Sequence, residues 1–334
     1  MIDLQPGIVI ADRYRILRKI GSGGMASVYE AHDAKKKRRV ALKIPYEPFW
    51  MDRRAMKRFL REARATLPIR SPHVVRTLAV GRQSDGMPYM VMQFVEGTPL
   101  RDIMYSDGKQ RQLPTELALT LLHQIATGLA AAHEVQVIHR DVKPDNVLVT
   151  FLGETPVARL FDFGLSLAAT EAATSRLTEP NTTLGTPQYM PPEQAQSARQ
   201  ADARADVYSL GIIAYELLAG SLPFEGEDAQ EVWRNAWRGH AIPLGQSRPD
   251  LPAPLADEIM RAISRDPEQR HPTAAAFRAA IEPYVPASAR AAPPRGAHAD
   301  DSTDGLTWPL VVGATFAGVI AIGMLIILLL RWMQ

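Results

Sequence analysis

His139-Arg140-Asp141-Val142-Lys143-Pro144-Asp145-Asn146, followed sixteen residues later by Asp162-Phe163-Gly164, is the stretch on which the reading of this chain turns. Asp141 can accept a hydroxyl proton, Lys143 can hold a phosphate, and Asn146 offers an amide oxygen to a divalent cation. The carboxylate of Asp162 supplies a second ligand, and Mg²⁺ favours carboxylate together with phosphate oxygens. Coincidental agreement of both segments at this spacing is very improbable.

Two weaker features lie upstream. Ile20-Gly21-Ser22-Gly23-Gly24-Met25-Ala26-Ser27-Val28 is glycine-rich between two strand-like runs, and glycine lets a backbone approach a phosphate closely. Plain hairpins carry such clusters too. Val40-Ala41-Leu42-Lys43 places a lysine among apolar residues, where it needs a carboxylate or a phosphate. Glu62 on the following helix is the natural partner; a surface lysine at a strand edge is the plainer reading.

Taken in order, these residues resemble the protein-kinase signature set. The resemblance covers residues 12–284 and extends to Gly185-Thr186-Pro187-Gln188-Tyr189-Met190-Pro191-Pro192-Glu193, Asp206-Val207-Tyr208-Ser209-Leu210-Gly211 and Asp266-Pro267-Glu268-Gln269-Arg270. The wording is similar to bacterial Hanks-type serine/threonine kinases. The resemblance implies an α+β, two-lobed fold with a β-rich N-lobe and a helical C-lobe. It also implies ATP and Mg²⁺, with Mn²⁺ as an alternative ion, and protein substrates phosphorylated on Ser or Thr.

By position, Gly21 to Val28 would cover the ATP phosphates, and Lys43, paired with Glu62, would bind the α- and β-phosphates. Met92 stands at the gatekeeper position, and Gln93 to Val95 form the hinge that meets adenine. Val28, Ala41 and Leu148 would sandwich the ring. Asp141 is implied as catalytic base, Lys143 as the γ-phosphate contact, and Asn146 with Asp162 as metal ligands. Lys143 with Thr186 is the serine/threonine pattern. Glu193 and Arg270 are implied as a buried structural pair, and Asp206 as a support of the catalytic loop. Two departures are mild: Ala26 replaces the third lid glycine, and 191–193 reads Pro-Pro-Glu, which holds Met190 extended.

The periodicity agrees with this arrangement. Strand-like runs occupy Tyr14–Gly21, Ala26–His32, Arg39–Ile44, Leu78–Gln83 and Tyr89–Phe94, interrupted by one helix near 52–66. Helical patterns take over at 115–134, 206–219, 228–238, 254–264 and 273–282. At 334 residues, 46% hydrophobic and 22% charged, the chain supports a sizeable core. A net charge of +2 does not argue for nucleic acid, and the absence of cysteine excludes disulfides and thiol chemistry.

Beyond the catalytic region, 285–307 reads as a Pro/Ala-rich flexible linker. Residues 308–330 read as a transmembrane helix, leaving a tail at 331–334. Pro309 to Leu330 is 22 residues without a charge, about 33 Å as a helix against a hydrocarbon core of about 30 Å. Trp308 and Trp332 suit the two interfaces. The N-terminus shows no leader, so a single-pass protein of the cell membrane is expected, its kinase domain cytoplasmic and its anchor carrying no outer sensor. Small residues at Gly313, Ala317 and Ala321 offer a homodimer face.

Arg140 is implied as the receptor of an activation-loop phosphate, with Arg58 as a second contact. Thr178, Thr182 and Thr183 are the expected autophosphorylation sites. The run Lys35-Lys36-Lys37-Arg38-Arg39 reads as a solvated hairpin turn, with contact to anionic lipid as the lesser reading. A pseudokinase scaffold at the membrane is the rival; it predicts loss of Lys43, Asp141, Asn146 or Asp162, and all four are present.

Overall fold

The computed structural model describes residues 4–106, 109–163, 187–196, 201–226 and 229–290. The membrane segment, Gly164 and Thr178, Thr182, Thr183 and Thr186 of the loop lie outside these residues. Among those described, no helix is long and apolar enough to cross a membrane.

The N-lobe is a six-stranded antiparallel sheet of order β1-β2-β3-β4-β6-β5. Its strands are β1 (Val9–Ile10), β2 (Tyr14–Ser22), β3 (Ala26–Asp33), β4 (Arg38–Pro45), β5 (Thr77–Arg82) and β6 (Pro88–Gln93). Strand alternation divides the residues between two faces. Ile16, Tyr29, Val40, Leu42 and Ile44 pack together on one face. Ala41, Met90 and Met92 turn to the other, where Ala63 of helix α2 (Arg53–Ala65) covers them. Asp52 caps α2 by accepting from the backbone N–H of Arg54 at 2.7 Å. A short helix, α1 (Glu47–Met51), precedes it.

The C-lobe is helical. Helix α3 (Leu100–Met104) leads to α4 (Thr115–Glu134), and α5 (Pro192–Gln196) leads to α6 (Ala203–Ala219). Then come α7 (Ala229–Arg238), α8 (Leu244–Ser247), α9 (Ala253–Ala262), α10 (Ala274–Ile281) and α11 (Ala287–Arg290). Helix α6 is buried on nearly every side from Ala205 to Leu218, so it is the post around which the lobe packs. Gly220 ends it in the left-handed conformation, φ 72°, as a helix C-terminus favours. At Gly211 a Cβ would come within 2.7 Å of Ile263 and 2.8 Å of Ala262, so only glycine lets α9 approach α6 this closely.

On the C-lobe side of the cleft, strand β7 (Thr98–Pro99) pairs with β10 (Val147–Leu152), which forms a hairpin with β11 (Thr155–Leu160). A two-stranded ribbon, β8 (Tyr105–Ser106) with β9 (Lys109–Gln110), lies between α3 and α4. The segment after α2 joins the lobes: Leu160 N–H donates to His73 O at 2.9 Å, and Val75 N–H to Leu160 O at 2.8 Å.

Candidate active site

A cleft of about 1180 Å³ lies between the lobes. From the N-lobe it is lined by Ile20, Gly21, Ser22, Gly23, Gly24, Met25, Ala26 and Val28, and by Ala41, Lys43 and Glu62. Met92, Gln93 and Val95 line its back, and Leu148 its floor. Arg140, Asp141, Lys143, Asn146 and Asp162 line the C-lobe side. Ser27 departs from expectation. Its cross-strand partner is Ile44, whose face is the packed one, and its buried hydroxyl turns toward Tyr46. The glycine-rich turn therefore contributes every second side chain of its return strand, and Ser27 is on the wrong side.

Lys43 is buried, and its Nζ meets Asp162 Oδ2 at 2.8 Å. The ion pair observed is thus with Asp162, whereas Glu62, the expected partner, lines the same cleft from α2. A cation in a half-buried cleft takes the carboxylate nearest to it, and β4 and the Asp162 turn bring these two together.

Between Lys143 and Asn146 the chain forms a single 3₁₀ turn, which folds three polar side chains onto one point. Lys143 Nζ donates to Asp141 Oδ1 at 3.0 Å and Oδ2 at 2.8 Å. Asn146 Nδ2 donates to the Asp141 carbonyl at 2.7 Å and to Oδ2 at 3.0 Å. The amide nitrogen being committed to Asp141, the amide oxygen of Asn146 remains as an acceptor. Phe161 N–H donates to Asn146 O at 3.1 Å, which sets Asp162 next to this turn. Asp162 Oδ1 is buried without a hydrogen-bond partner among the described residues, and Asp162 sits at φ 66°. A carboxylate oxygen and an amide oxygen are hard donors, the set that Mg²⁺ takes. The residues present fit that ion.

The catalytic-loop backbone hangs from α6. Asp206, fully buried, accepts from the backbone N–H of His139 and of Arg140, each at 2.8 Å, and meets His133 Nε2 at 2.7 Å. Burial alone would raise its pKa, but the hydrogen bond from His133 and the two histidines' fields outweigh burial and hold the carboxyl below its ordinary value. Arg140 adopts φ 64°, a conformation that costs a non-glycine residue about 1–2 kcal/mol. Its N–H bond to Asp206 holds it there.

Several supports carry no obvious sequence signal. Gln194, buried on α5, donates from Nε2 to Arg140 O at 2.8 Å. Arg101 Nε meets Asp145 Oδ1 at 2.8 Å. Glu216, fully buried on α6, accepts from Gln110 Nε2 at 3.0 Å and from Tyr105 and Tyr189 hydroxyls; burial raises its pKa. The pair implied by the sequence, Glu193 with Arg270, is present and two-pronged at 2.7 and 2.9 Å, with the arginine side chain wholly buried. His139 packs against Phe163 with ring centroids 4.4 Å apart and planes tilted by 48°, and its Nε2 meets Phe161 O at 2.9 Å.

A family model described as protein kinase domain matches residues 14–280. A probable serine/threonine-protein kinase of Clostridium perfringens is 38% identical over 268 residues, covering 80% of this chain and 38% of the relative. The serine/threonine-protein kinase PrkC of Bacillus subtilis is 36% identical over 273 residues, covering 82% of this chain and 40% of the relative. This chain therefore spans about two fifths of the length of these relatives. Among solved structures, the Mycobacterium tuberculosis PknI kinase domain aligns with a TM-score of 0.64 at 26% identity, over 84% of this chain and 99% of that one.

Proposed function

Since this chain belongs to the protein kinase family, we propose that it transfers the γ-phosphate of ATP to serine or threonine of proteins. The observation that carries this is the meeting of Lys43, Asp141, Lys143, Asn146 and Asp162 in one cleft whose roof is the glycine-rich turn. The adenine lies between Val28 and Ala41 above and Leu148 below, against the hinge from Gln93 to Val95. Lys43 leaves Asp162 for the nucleotide phosphates when these enter, and Glu62 then steadies it. Asn146 and Asp162 would hold Mg²⁺, which when bound offsets the charge of the phosphate oxygens. Asp141 orients the acceptor hydroxyl and takes its proton, while Lys143 compensates charge beside it. Positioning and charge stabilisation supply most of the rate enhancement.

We also propose that the chain is single-pass in the cell membrane through 308–330, with residues 1–307 cytoplasmic where ATP is available, and that it autophosphorylates at Thr178, Thr182 or Thr183. The support is the uncharged 22-residue run and the arginine at 140. Pairing of two copies through Gly313, Ala317 and Ala321 belongs to the same reading. Radiolabel transfer from γ-labelled ATP to a generic protein substrate, compared between wild type and Asp141→Asn, tests the enzyme. Transfer is expected in wild type and a loss of about a thousandfold or more in the variant. Equal labelling in both overturns it in favour of the pseudokinase reading.

A further inference from the structure

Charge is distributed very unevenly over this nearly neutral chain. Residues 4–95 carry 19 Lys and Arg against 7 Asp and Glu, a net of +12, while the whole chain is only +2. The densest part is α2, where Arg53, Arg54, Lys57, Arg61 and Arg64 are all exposed. At 3.6 residues per turn these five fall within about 100° of one another. They therefore form a single cationic stripe, flanking the face that buries Met56, Leu60 and Ala63. None of the five has an ion pair among the described residues. Glu62, the acidic side chain within the helix, is turned into the cleft and off the stripe.

This arrangement does not serve the helix itself. Lys57 repels Arg53 and Arg61 at four-residue spacing, and like pairs at that spacing are destabilising. Arg53 and Arg54 stand in the first turn, against the positive end of the helix dipole, with the Asp52 cap as the one carboxylate beside them. An external anionic surface relieves both. The stripe runs about 17 Å along the helix on exposed side chains, none of which lines the cleft, which suits a plane of diffuse charge better than a shaped ligand.

We infer that the α2 stripe docks the N-lobe onto the anionic phospholipid surface of the bilayer. The inference rests on the tethered reading above for its encounter with that surface. Eighteen residues, 291–308, separate the last described residue from the apolar run, and a chain of that length reaches at most about 60 Å. Each Lys or Arg near an anionic surface contributes about fivefold to partitioning. Because α2 also carries Glu62 and Phe59, which line the cleft, docking of its outer face bears on the same helix that meets the nucleotide site.

The chain lacks cysteine, so Ala65→Cys at the exposed end of α2 gives a unique labelling position. Labelled full-length protein is placed in vesicles of pure phosphatidylcholine or with 30% phosphatidylglycerol, each carrying a lipid-borne quencher. The inference expects quenching on anionic vesicles, its loss at 0.5 M NaCl, and a docked-to-free ratio about a hundredfold lower for Lys57→Gln/Arg61→Gln/Arg64→Gln. Kinase activity of that variant in neutral vesicles matches wild type, which shows that it folds. Equal quenching on neutral and anionic vesicles, or none on vesicles with which the protein floats, overturns the docking while leaving the tether standing. Protein that floats with anionic vesicles only, with α2 quenched, overturns the tether while supporting the docking. Stronger protection of the label by an acidic polypeptide than by anionic vesicles of equal charge overturns the lipid surface in favour of a protein partner.

Discussion

Replacing Asp206 by asparagine removes a charge from the carboxylate that holds the catalytic-loop backbone while leaving its shape intact. Asp206 receives three hydrogen bonds, from the backbone N–H of His139 and Arg140 and from His133. The amide has one acceptor oxygen, so at least one buried N–H then faces an NH₂ group. An unsatisfied buried donor costs about 1–3 kcal/mol, and loss of charge assistance in the remaining bonds costs about 1.5–3 kcal/mol. The expected loss of stability is about 3–5 kcal/mol. For a domain of this size that corresponds to a fall in Tm of roughly 10 °C. The effect reaches the chemistry because the bond to Arg140 N–H holds φ 64° one residue before Asp141. Relaxation there moves the Asp141 carboxylate, and a shift of about 1 Å costs about a hundredfold in kcat. Thermal melts and steady-state phosphoryl transfer, run below the variant's melting temperature, measure the two effects. His133→Ala removes only the third bond and is expected to lower Tm by a third as much or less. A Tm within about 2 °C of wild type, with kcat within about threefold, would refute the reasoning.

Arg270→Met leaves Glu193 and three backbone carbonyls without their donor, so a loss of about 3–5 kcal/mol is expected in urea unfolding. Glu193→Gln costs less, because Glu193 is 24% exposed and Arg270 keeps its carbonyls. Gly211→Val drives side-chain atoms into Ile263 and Ala262; about 1–3 kcal/mol is lost, read as a lower Tm with ATP affinity unchanged. Burial lowers the pKa of His123 and His271, although His271 Nε2 lies 2.8 Å from Glu258. His271 Nδ1 is buried without a partner among the described residues, so the neutral ring donating from Nε2 is the folded form. The unfolded chain then binds more protons below its histidine pKa of about 6.5. Stability is complete above that value and declines as pH falls toward the folded values. A Tm at pH 5.5 equal to that at pH 7.5 would contradict this, and His123→Gln/His271→Gln flattens the slope. Asp33 and Asp202, whose pKa values are lowered by arginine partners against the effect of burial, act only below about pH 4.

The five N-lobe strands and the large helices were legible because their signals are local. Alternation in Arg39–Ile44 and the stripe Leu117, Leu121, Ile125 each specify one element, and their observed bounds differ by only a few residues. β1 and the β10–β11 hairpin escaped, since Val9–Ile10 is two residues long and Val147–Leu152 follows a 3₁₀ turn without a break. In the site, the 139–146 loop and Asp162 were legible from residue type and spacing. Ser27 was not, because a motif names consecutive residues while a strand presents alternate ones. The observed partner of Lys43 and the contacts of Gln194, Arg101 and Glu216 were also hidden, being made between residues 27 to 119 positions apart whose pairing depends on packing.

Asp141 and both metal-ligand candidates are moored to a single body, through Asp206, the 3₁₀ turn and the Phe161–Asn146 bond. The glycine-rich turn, Ala41 and Lys43 belong to the other. Two evolutionary pressures therefore fall on separate material. On the proposed reading, substitutions on the sheet and hinge retune which nucleotide analogues are admitted, as escape from a competitive inhibitor demands, while the Asp141 turn is inherited unaltered.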